Sequence, residues 1–176
     1  MGKSNGFLHP YPMIIFGIDP GIATTGYGVI ETIGASRAHV AHGVVRTPQG
    51  MPPPQRLRTL FESMTGLLRR FDPDLIAVEE LFFSTNVKTA MAVSEARGVI
   101  LLASSLHGSE IAEFTPNRVK QSVSQNGRAD KKDMQNMVKI LLGLSETPRP
   151  DDAADALAIA LCASQEPRWL PAALAR

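Results

Sequence analysis

Four acidic residues stand at positions where a carboxylate is costly unless it binds something. Asp19 ends an apolar stretch just before a Pro-Gly pair, and Glu79 ends the apolar run 75–78. Asp152 and Asp155 lie three residues apart at the start of an apolar helical segment, which puts both on one helix face. A partly buried carboxylate is stabilised by ion pairing or by a metal ion. These positions therefore indicate a site for acid or metal chemistry.

Each acid also has a purely structural interpretation when it is taken alone. Asp19 suits a turn before Pro-Gly, and Glu79 suits a solvated strand end beside Glu80. The helix pair suits the capping and dipole roles that acids play in a first turn. Together, however, the four carboxylates match the oxygen ligands of Mg²⁺, which takes one or two carboxylates beside water and phosphate. Two such ions about 4 Å apart can drive phosphodiester hydrolysis, so the set predicts a two-metal nuclease centre.

No histidine, cysteine or serine constellation in the sequence competes with this interpretation. The single cysteine, Cys162, lies in an apolar helical stretch, which predicts a small buried side chain and rules out a disulfide within the chain. One unpaired cysteine fits a reducing cytoplasm. The histidines show no metal-ligand spacing to a second kind of ligand; they are His9, His39, His42 and His107.

Length and composition predict one folded domain. The chain has 176 residues, of which 44% are apolar and 20% charged, and its formal net charge is +1. That length suits a single hydrophobic core, and the balance is that of an ordinary globular protein. The sequence contains no apolar run of the roughly 18 residues that span a bilayer and no signal-peptide pattern. We therefore expect a cytoplasmic protein with no membrane contact.

A local excess of positive charge occurs in the segment 118–139. It holds six basic residues against two aspartates, a local charge of +4 in a chain of net +1. Such a patch can neutralise phosphates and would make nucleic-acid binding fall with salt. A solvated helix face is an equally good interpretation of the pattern alone. The basic residues are Arg118, Lys120, Arg128, Lys131, Lys132 and Lys139.

The hydrophobic pattern predicts three antiparallel strands followed by alternating helices and strands. The strands are expected at 13–19, 25–33, 37–47, 75–78 and 111–114. The helices are expected at 55–70, 86–106, 116–124, 131–142 and 152–163. This order predicts an α/β fold, a mixed sheet with helices on both faces. Since functional groups gather at the carboxyl ends of strands, the sheet is expected to bring Asp19 and Glu79 together.

Three stretches of the chain have different expected roles. Residues 1–12 are expected to form a flexible N-terminal extension, 13–166 the folded domain and 167–176 a loose tail. In the second strand, the expected inward side chains are Tyr27, Val29 and Ile33.

Four parts of the chain, in order, resemble the RuvC family of bacterial Holliday junction resolvases. The opening motif is matched by Phe16–Gly21 with Thr25–Ile30, the second acidic motif by Ala77–Phe82, the long central helix by Glu95–Val99 and the final motif by Asp152–Ala160. The resemblance extends over about residues 13 to 165.

The resemblance implies an RNase H-like fold with a five-stranded mixed sheet, and a homodimer that works with the branch-migration proteins RuvA and RuvB. It implies symmetric, Mg²⁺-dependent nicking of four-way DNA junctions in homologous recombination and DNA repair, leaving 5′-phosphate and 3′-hydroxyl ends. The catalytic and metal-binding roles, with two Mg²⁺ ions or Mn²⁺ as a substitute, would fall on Asp19, Glu79, Asp152 and Asp155. Asp151 is an extra acidic neighbour of the third acid.

The resemblance also points to residues that would touch DNA. The family's junction-contacting aromatic falls on Phe82, whose ring would stack on an unpaired base at the branch. The family's lysines beside the active site fall on Lys120 and Lys131, with Lys132 as the alternative to Lys131. Arg118 belongs to the same basic patch.

Three other functions remain open. An actin-like phosphotransferase opens with a similar strand-Asp-x-Gly turn, but this chain is short for its two lobes. An RNase H-like nuclease acting on RNA would share the acids, although the Asp-Ala-Ala-Asp helix start and Phe82 argue against it. A non-catalytic junction-binding module would bind DNA without cutting it.

Overall fold

The strands and helices follow one another in the order predicted from the sequence. The computed structural model describes residues 12–81, 87–124 and 130–166. The strands are β1 (Met13–Asp19), β2 (Thr24–Ile33), β3 (Ser36–Arg46), β4 (Leu75–Glu79) and β5 (Glu110–Phe114). The helices are α1 (Pro53–Phe71), α2 (Val87–His107), α3 (Pro116–Ser124), α4 (Lys131–Leu141) and α5 (Asp151–Ala163). The predicted extension, apart from Pro12, and the predicted tail lie outside the described residues, as does Phe82.

The five strands form one mixed sheet in the order β3-β2-β1-β4-β5. The first three strands pair antiparallel, whereas β4 runs parallel to β1 and β5 runs parallel to β4. The predicted fold class is thereby confirmed. Because β1 and β4 are parallel neighbours, their carboxyl ends meet at the same edge of the sheet.

Each face of the sheet is covered by helices over its own hydrophobic cluster. Helices α1 and α2 cover one face, where Phe16, Ile18 and Ile76 are buried. Helices α3, α4 and α5 cover the other, where Ala77 and Leu157 are buried. This two-sided arrangement follows from the near-continuous apolar runs of β1 and β4, because a strand buried on both faces cannot alternate with polar residues.

Helix α5 is the most deeply buried helix of the described chain. Every residue from 153 to 163 is buried apart from Asp155. The residues of this stretch are mostly alanine, which lets the helix lie close against the sheet. Cys162 is 1% exposed, so the predicted small buried side chain is confirmed. None of the described helices is both long and apolar enough to cross a membrane.

Two local predictions are corrected by the structure. Val29 is buried as predicted and Tyr27 is partly buried, but Ile33 is 48% exposed. A bulge in the pairing of β2 with β3 falls between Val29 and Ile30, but its extra residue is Val40 of β3, so the alternation of β2 continues unbroken. Ile33 shares the face of Val29 and is exposed because, as the last residue of β2, it lies beyond the hydrophobic cluster of that face. Helix α1 begins at Pro53 rather than at Gln55, because proline fits a first helical turn, where no backbone N–H donor is needed.

Candidate active site

The pairing of β1 with β4 puts the first two acids side by side. Ile18 pairs with Val78, so Asp19 and Glu79 follow as the next two residues at the ends of neighbouring strands, which lie about 4.8 Å apart. Both acids also point to the same face of the sheet. Asp19 is two residues beyond Gly17, which faces α5, and Glu79 is two residues beyond Ala77, which belongs to the cluster under α5.

Glycines in β1 and β2 let α5 approach the sheet closely enough to add the other two acids. A Cβ on Gly17 would lie 2.1 Å from the backbone oxygen of Ala156, and a Cβ on Gly26 would lie 1.9 Å from that of Asp152. Gly26 is the pairing partner of Asp19. The first turn of α5 therefore lies over β2 beside the end of β1, and the carboxylates of both strands and the helix converge.

The helix acids do not act as side-chain caps. The residue before α5 is Pro150, which makes no capping hydrogen bond from its side chain. Asp151 instead lies 3.2 Å from Lys131 Nζ, and Asp155 lies 3.5 Å from the same ammonium. Asp151 and Asp152 still occupy a helix first turn, where negative charge is favoured. Asp155 is one turn further along and faces the strand acids.

The turn that follows Asp19 is held by side chains from β2, from α1 and from the residue that follows β3. Thr25, which is buried, donates a hydrogen bond to the backbone oxygen of Gly21 at 2.6 Å. Thr47 donates to the backbone oxygen of Ile22, which also accepts a bond from Arg56 Nη2 at 3.2 Å. A turn fixed in this way holds Asp19 in place against the repulsion of the other acids.

Arg97 supports the other strand end, and sequence reasoning assigned it no role. Its Nε donates to the backbone oxygen of Glu79 at 3.3 Å, and its Nη2 pairs with Glu113 on β5. It therefore ties α2 to the ends of β4 and β5. The available signal was a single arginine on a helix of mainly small and apolar residues.

Electrostatics single out Asp19 as the centre of the cluster. The pKa of Asp19 is raised from 3.8 to about 8, mainly by burial and in addition by the negative charges of Glu79, Asp155 and Asp152, against the opposing effect of Lys131. Burial also raises the pKa of Glu79 to about 7, with a contribution from Asp155 and an opposing one from Lys120. Such shifts mean that the four carboxylates are close together and short of positive charge.

The donor set fits divalent metal binding. Among the described residues, no group of three or more His, Cys, Asp or Glu side chains is arranged to hold a metal ion by itself. Mg²⁺, however, takes only one or two carboxylates and completes its shell with water and phosphate oxygens. The cluster offers oxygen ligands only, and the raised pKa values of Asp19 and Glu79 show that extra positive charge would stabilise their ionised forms.

Arg128 lies outside the described residues, and four of the other predicted basic residues fall into two groups. Lys131 and Lys120 belong to the cluster, because Lys131 pairs with Asp155 and the charge of Lys120 acts on Glu79. Arg118 is instead paired with Glu166, and Lys132 is exposed on the first turn of α4. Of the two adjacent lysines that the sequence left open, Lys131 is therefore the one that reaches the acids.

Comparison with known proteins gives consistent matches over the described domain. A family model described as crossover junction endodeoxyribonuclease RuvC matches residues 15–163. The RuvC of Rubrobacter xylanophilus is 54% identical over 149 residues, which make up 85% of this chain and 83% of that protein. The RuvC of Alkaliphilus metalliredigens is 51% identical over 150 residues, 85% of this chain and 92% of that protein. The solved structure of T. thermophilus RuvC in complex with Holliday junction substrate matches with a TM-score of 0.81 at 38% identity, covering 85% of this chain and 92% of that one.

Proposed function

Because the chain belongs to the RuvC family of crossover junction endodeoxyribonucleases, we propose that it resolves Holliday junctions by hydrolysing phosphodiester bonds in DNA. The RNase H-like fold expected from the sequence is confirmed by the match to a RuvC structure. The observation that carries the proposed chemistry is the convergence of four carboxylates at the paired ends of β1 and β4, under the first turn of α5.

The four acids share one role at the site. We assign metal binding and catalysis to Asp19, Glu79, Asp152 and Asp155, with Asp19 in the middle because all three of the others act on its pKa. Two divalent ions, Mg²⁺ or Mn²⁺, would supply an activated water and stabilise the leaving oxygen when bound there. The chain's own contribution is to hold these oxygen ligands on rigid strand ends and a buried helix, which fixes where a phosphate can lie.

Positive side chains would bind the DNA backbone beside the acids. Lys131 and Lys120 are placed to contact the scissile phosphate region, since both act electrostatically on the carboxylates. Lys132 and Arg118 extend the same basic surface along the helices. Phe82, which follows β4 after a two-residue interval, is proposed to stack on an unpaired base at the branch point.

A homodimer is part of this proposal. Two coordinated nicks in one junction require two active sites related by a twofold axis. Helix α2 offers a surface for it, because Met91, Leu102 and Leu106 are 62%, 53% and 69% exposed. A groove of about 160 Å³ between α1 and α2 opens beside Leu106. Large apolar side chains clustered on one exposed face mark an interaction surface.

The remaining expectations concern the cell. We propose that residues 13–166 form the nuclease domain and that it acts in the cytoplasm in homologous recombination and repair, with the branch-migration proteins RuvA and RuvB. The cuts would leave 5′-phosphate and 3′-hydroxyl ends. An RNA substrate, phosphotransfer and a purely binding role are less well supported, because the relatives are endodeoxyribonucleases and the chain keeps every acid.

The test is cleavage of a synthetic four-way junction. With Mg²⁺, we expect paired nicks in opposing strands of the junction, and little cutting of a matched duplex or an RNA–DNA hybrid. Asp19→Asn removes a metal ligand but no phosphate contact, so its cleavage should fall by at least about a hundredfold while junction binding is kept. Cutting by Asp19→Asn at the wild-type rate would exclude the metal role, and an uncut junction would exclude the function.

A further inference from the structure

Asp151 is engaged on both carboxylate oxygens by side chains of α4. Its Oδ2 lies 3.2 Å from Lys131 Nζ, and its Oδ1 accepts a hydrogen bond from Gln135 Nε2 at 2.9 Å. Lys131 and Gln135 are one helical turn apart and therefore face the same way. Asp151 thus ties the start of α5 to the first two turns of α4.

The same lysine is shared with an acid of the active site. Lys131 Nζ lies 3.5 Å from Asp155 Oδ2, so the ammonium sits between two carboxylates that are one turn apart on α5. The two carboxylates differ in their surroundings. Asp155 faces the acid cluster, whereas the Asp151 side chain is 60% exposed and turned towards α4.

Metal binding would weaken the attraction of the Lys131 ammonium to Asp155 but not to Asp151. A divalent ion that shares the charge of Asp155 weakens the attraction between Asp155 and the ammonium, and it repels the ammonium directly. Asp151 is turned towards α4 and is not among the four acids assigned to the metal, so its charge is left to the lysine. A lysine side chain has four rotatable carbons and no fixed geometry of its own, so it moves away unless another anion holds it.

We propose that Asp151 is a positioning residue that keeps the Lys131 ammonium at the mouth of the active site, within reach of the scissile phosphate, while Asp155 serves the metal. The proposal rests on the function proposed above. It assigns Asp151 no contact with DNA or metal. It also separates Lys131 from its neighbour Lys132, which has no such anchor among the described contacts.

Little of this effect should appear as fold stability. Exposed ion pairs contribute little to the free energy of unfolding, because solvent screens them and both side chains lose freedom. We therefore expect the melting temperature of Asp151→Ala to stay close to that of wild type. The consequence should appear in the reactivity of Lys131 and in the rate of the cleavage step.

The first experiment needs no cleavage. Wild-type protein in Mg²⁺ is labelled with a limiting amount of an amine-acylating reagent, and the modification of Lys131 is compared with that of Lys132 by mass spectrometry. We expect Lys131 to react several times more slowly than Lys132 in wild type and at a similar rate in Asp151→Ala. The matched control is Glu146→Ala, which removes an exposed acid elsewhere on the chain. Equal labelling ratios in wild type and Asp151→Ala would overturn the proposal.

The second experiment measures single-turnover cleavage of the junction at saturating protein. We expect Asp151→Ala to lower the rate constant by about tenfold relative to Glu146→Ala, less than the roughly hundredfold or greater loss that follows removal of a charge-stabilising donor, because the lysine itself is still present. Junction affinity should match that control. Asp151→Glu should recover most of the rate. In a Lys131→Ala background, Asp151→Ala should cause no further loss.

Two results would count against the positioning role. A loss that persists in the Lys131→Ala background would show that Asp151 does not act through the lysine. A shift in the Mg²⁺ concentration that gives half-maximal rate would make Asp151 a metal ligand instead. If wild type fails to cut junctions, the proposed function is lost, but the labelling ratio still decides whether Asp151 holds Lys131.

Discussion

At the scale of the residue, Asp19 bears the largest electrostatic cost of the candidate site. Its position at the end of a buried strand was readable from the sequence. Its proton affinity was not, because that depends on burial and on acids contributed by β4 and α5. The same limit applies to Lys131 and Lys132, which are indistinguishable in sequence. Only the packing of α4 against α5 decides which of them meets the acids.

The raised pKa of Asp19 predicts how metal-free stability depends on pH. Between about pH 4 and pH 8, the unfolded chain has released a proton that folded Asp19 retains, since the pKa is 3.8 in the former and about 8 in the latter. The free energy of unfolding therefore falls as pH rises through this window. Asp19→Asn has no titratable group at this position. Its free energy of unfolding should therefore fall less than that of wild type as the pH rises through this window.

Melting temperatures measured in a chelator from pH 5 to pH 8 check this. At pH 8 we expect the melting temperature of Asp19→Asn to exceed that of wild type by about 4 °C or more. Adding Mg²⁺ should make wild type the more stable protein again, because the ion binds its ionised site. Parallel melting curves for the two proteins across the range would contradict the raised pKa.

At the scale of the element, the position of α5 depends on glycines in the strands beneath it, which have no side chains. Gly17, Gly26 and Gly28 leave no side chain between the sheet and the helix backbone. The helix, its apolar pattern and its acids were predicted from the sequence, since each is a local property. The close approach was not, because a glycine in a strand does not reveal which element lies above it. The role of Arg97 was not predicted for a similar reason, because its partners lie on two strands distant in sequence.

Gly17→Ala should separate α5 from its place over the strand ends. The added Cβ would meet the backbone of Ala156 and Ala160, at 2.1 Å from one oxygen and 2.7 Å from one nitrogen, so no change of rotamer relieves it. We expect a loss of about 2–3 kcal/mol in the free energy of unfolding, and at least a tenfold loss of cleavage because two acids move with the helix.

The matched control is Gly66→Ala in α1, where a Cβ would meet nothing within 4 Å. Alanine favours a helix over glycine, so this variant should be as stable as wild type or up to about 1 kcal/mol more stable. Urea unfolding measures both changes, and cleavage is assayed well below the unfolding transition. Equal stability of the two variants would show that the sheet yields to the added methyl group.

At the scale of the whole molecule, charge and apolar surface are distributed unevenly over the described residues. The net charge of +1 conceals an acidic centre and a basic margin, which is what a phosphate-binding metal site requires. The exposed apolar side chains of α2 lie across the sheet from α5. Summed composition predicted a single domain but could not predict this division, since it depends on which helix covers which face.

Leu106→Asp should therefore disrupt the proposed dimer. Leu106 is 69% exposed on α2, and a buried aspartate in an interface would lack a partner. Ile140→Asp is the control, because Ile140 is 68% exposed but lies on α4. Light scattering after size exclusion should show a dimer for wild type and Ile140→Asp and a monomer for Leu106→Asp. A dimeric Leu106→Asp would exclude this face of α2 as the interface.

The order of the acids along the chain has a consequence for biosynthesis. Asp19 and Glu79 emerge from the ribosome early, but α5, which carries the other two acids, is the last helix of the described domain. A nascent chain that has reached the sheet strands but not residue 151 has half of the carboxylates and no helix over Gly17 and Gly26. Under the proposed assignment of the four acids, such a chain lacks half of the metal ligands. The proposed cleavage activity therefore requires synthesis to have passed Asp155.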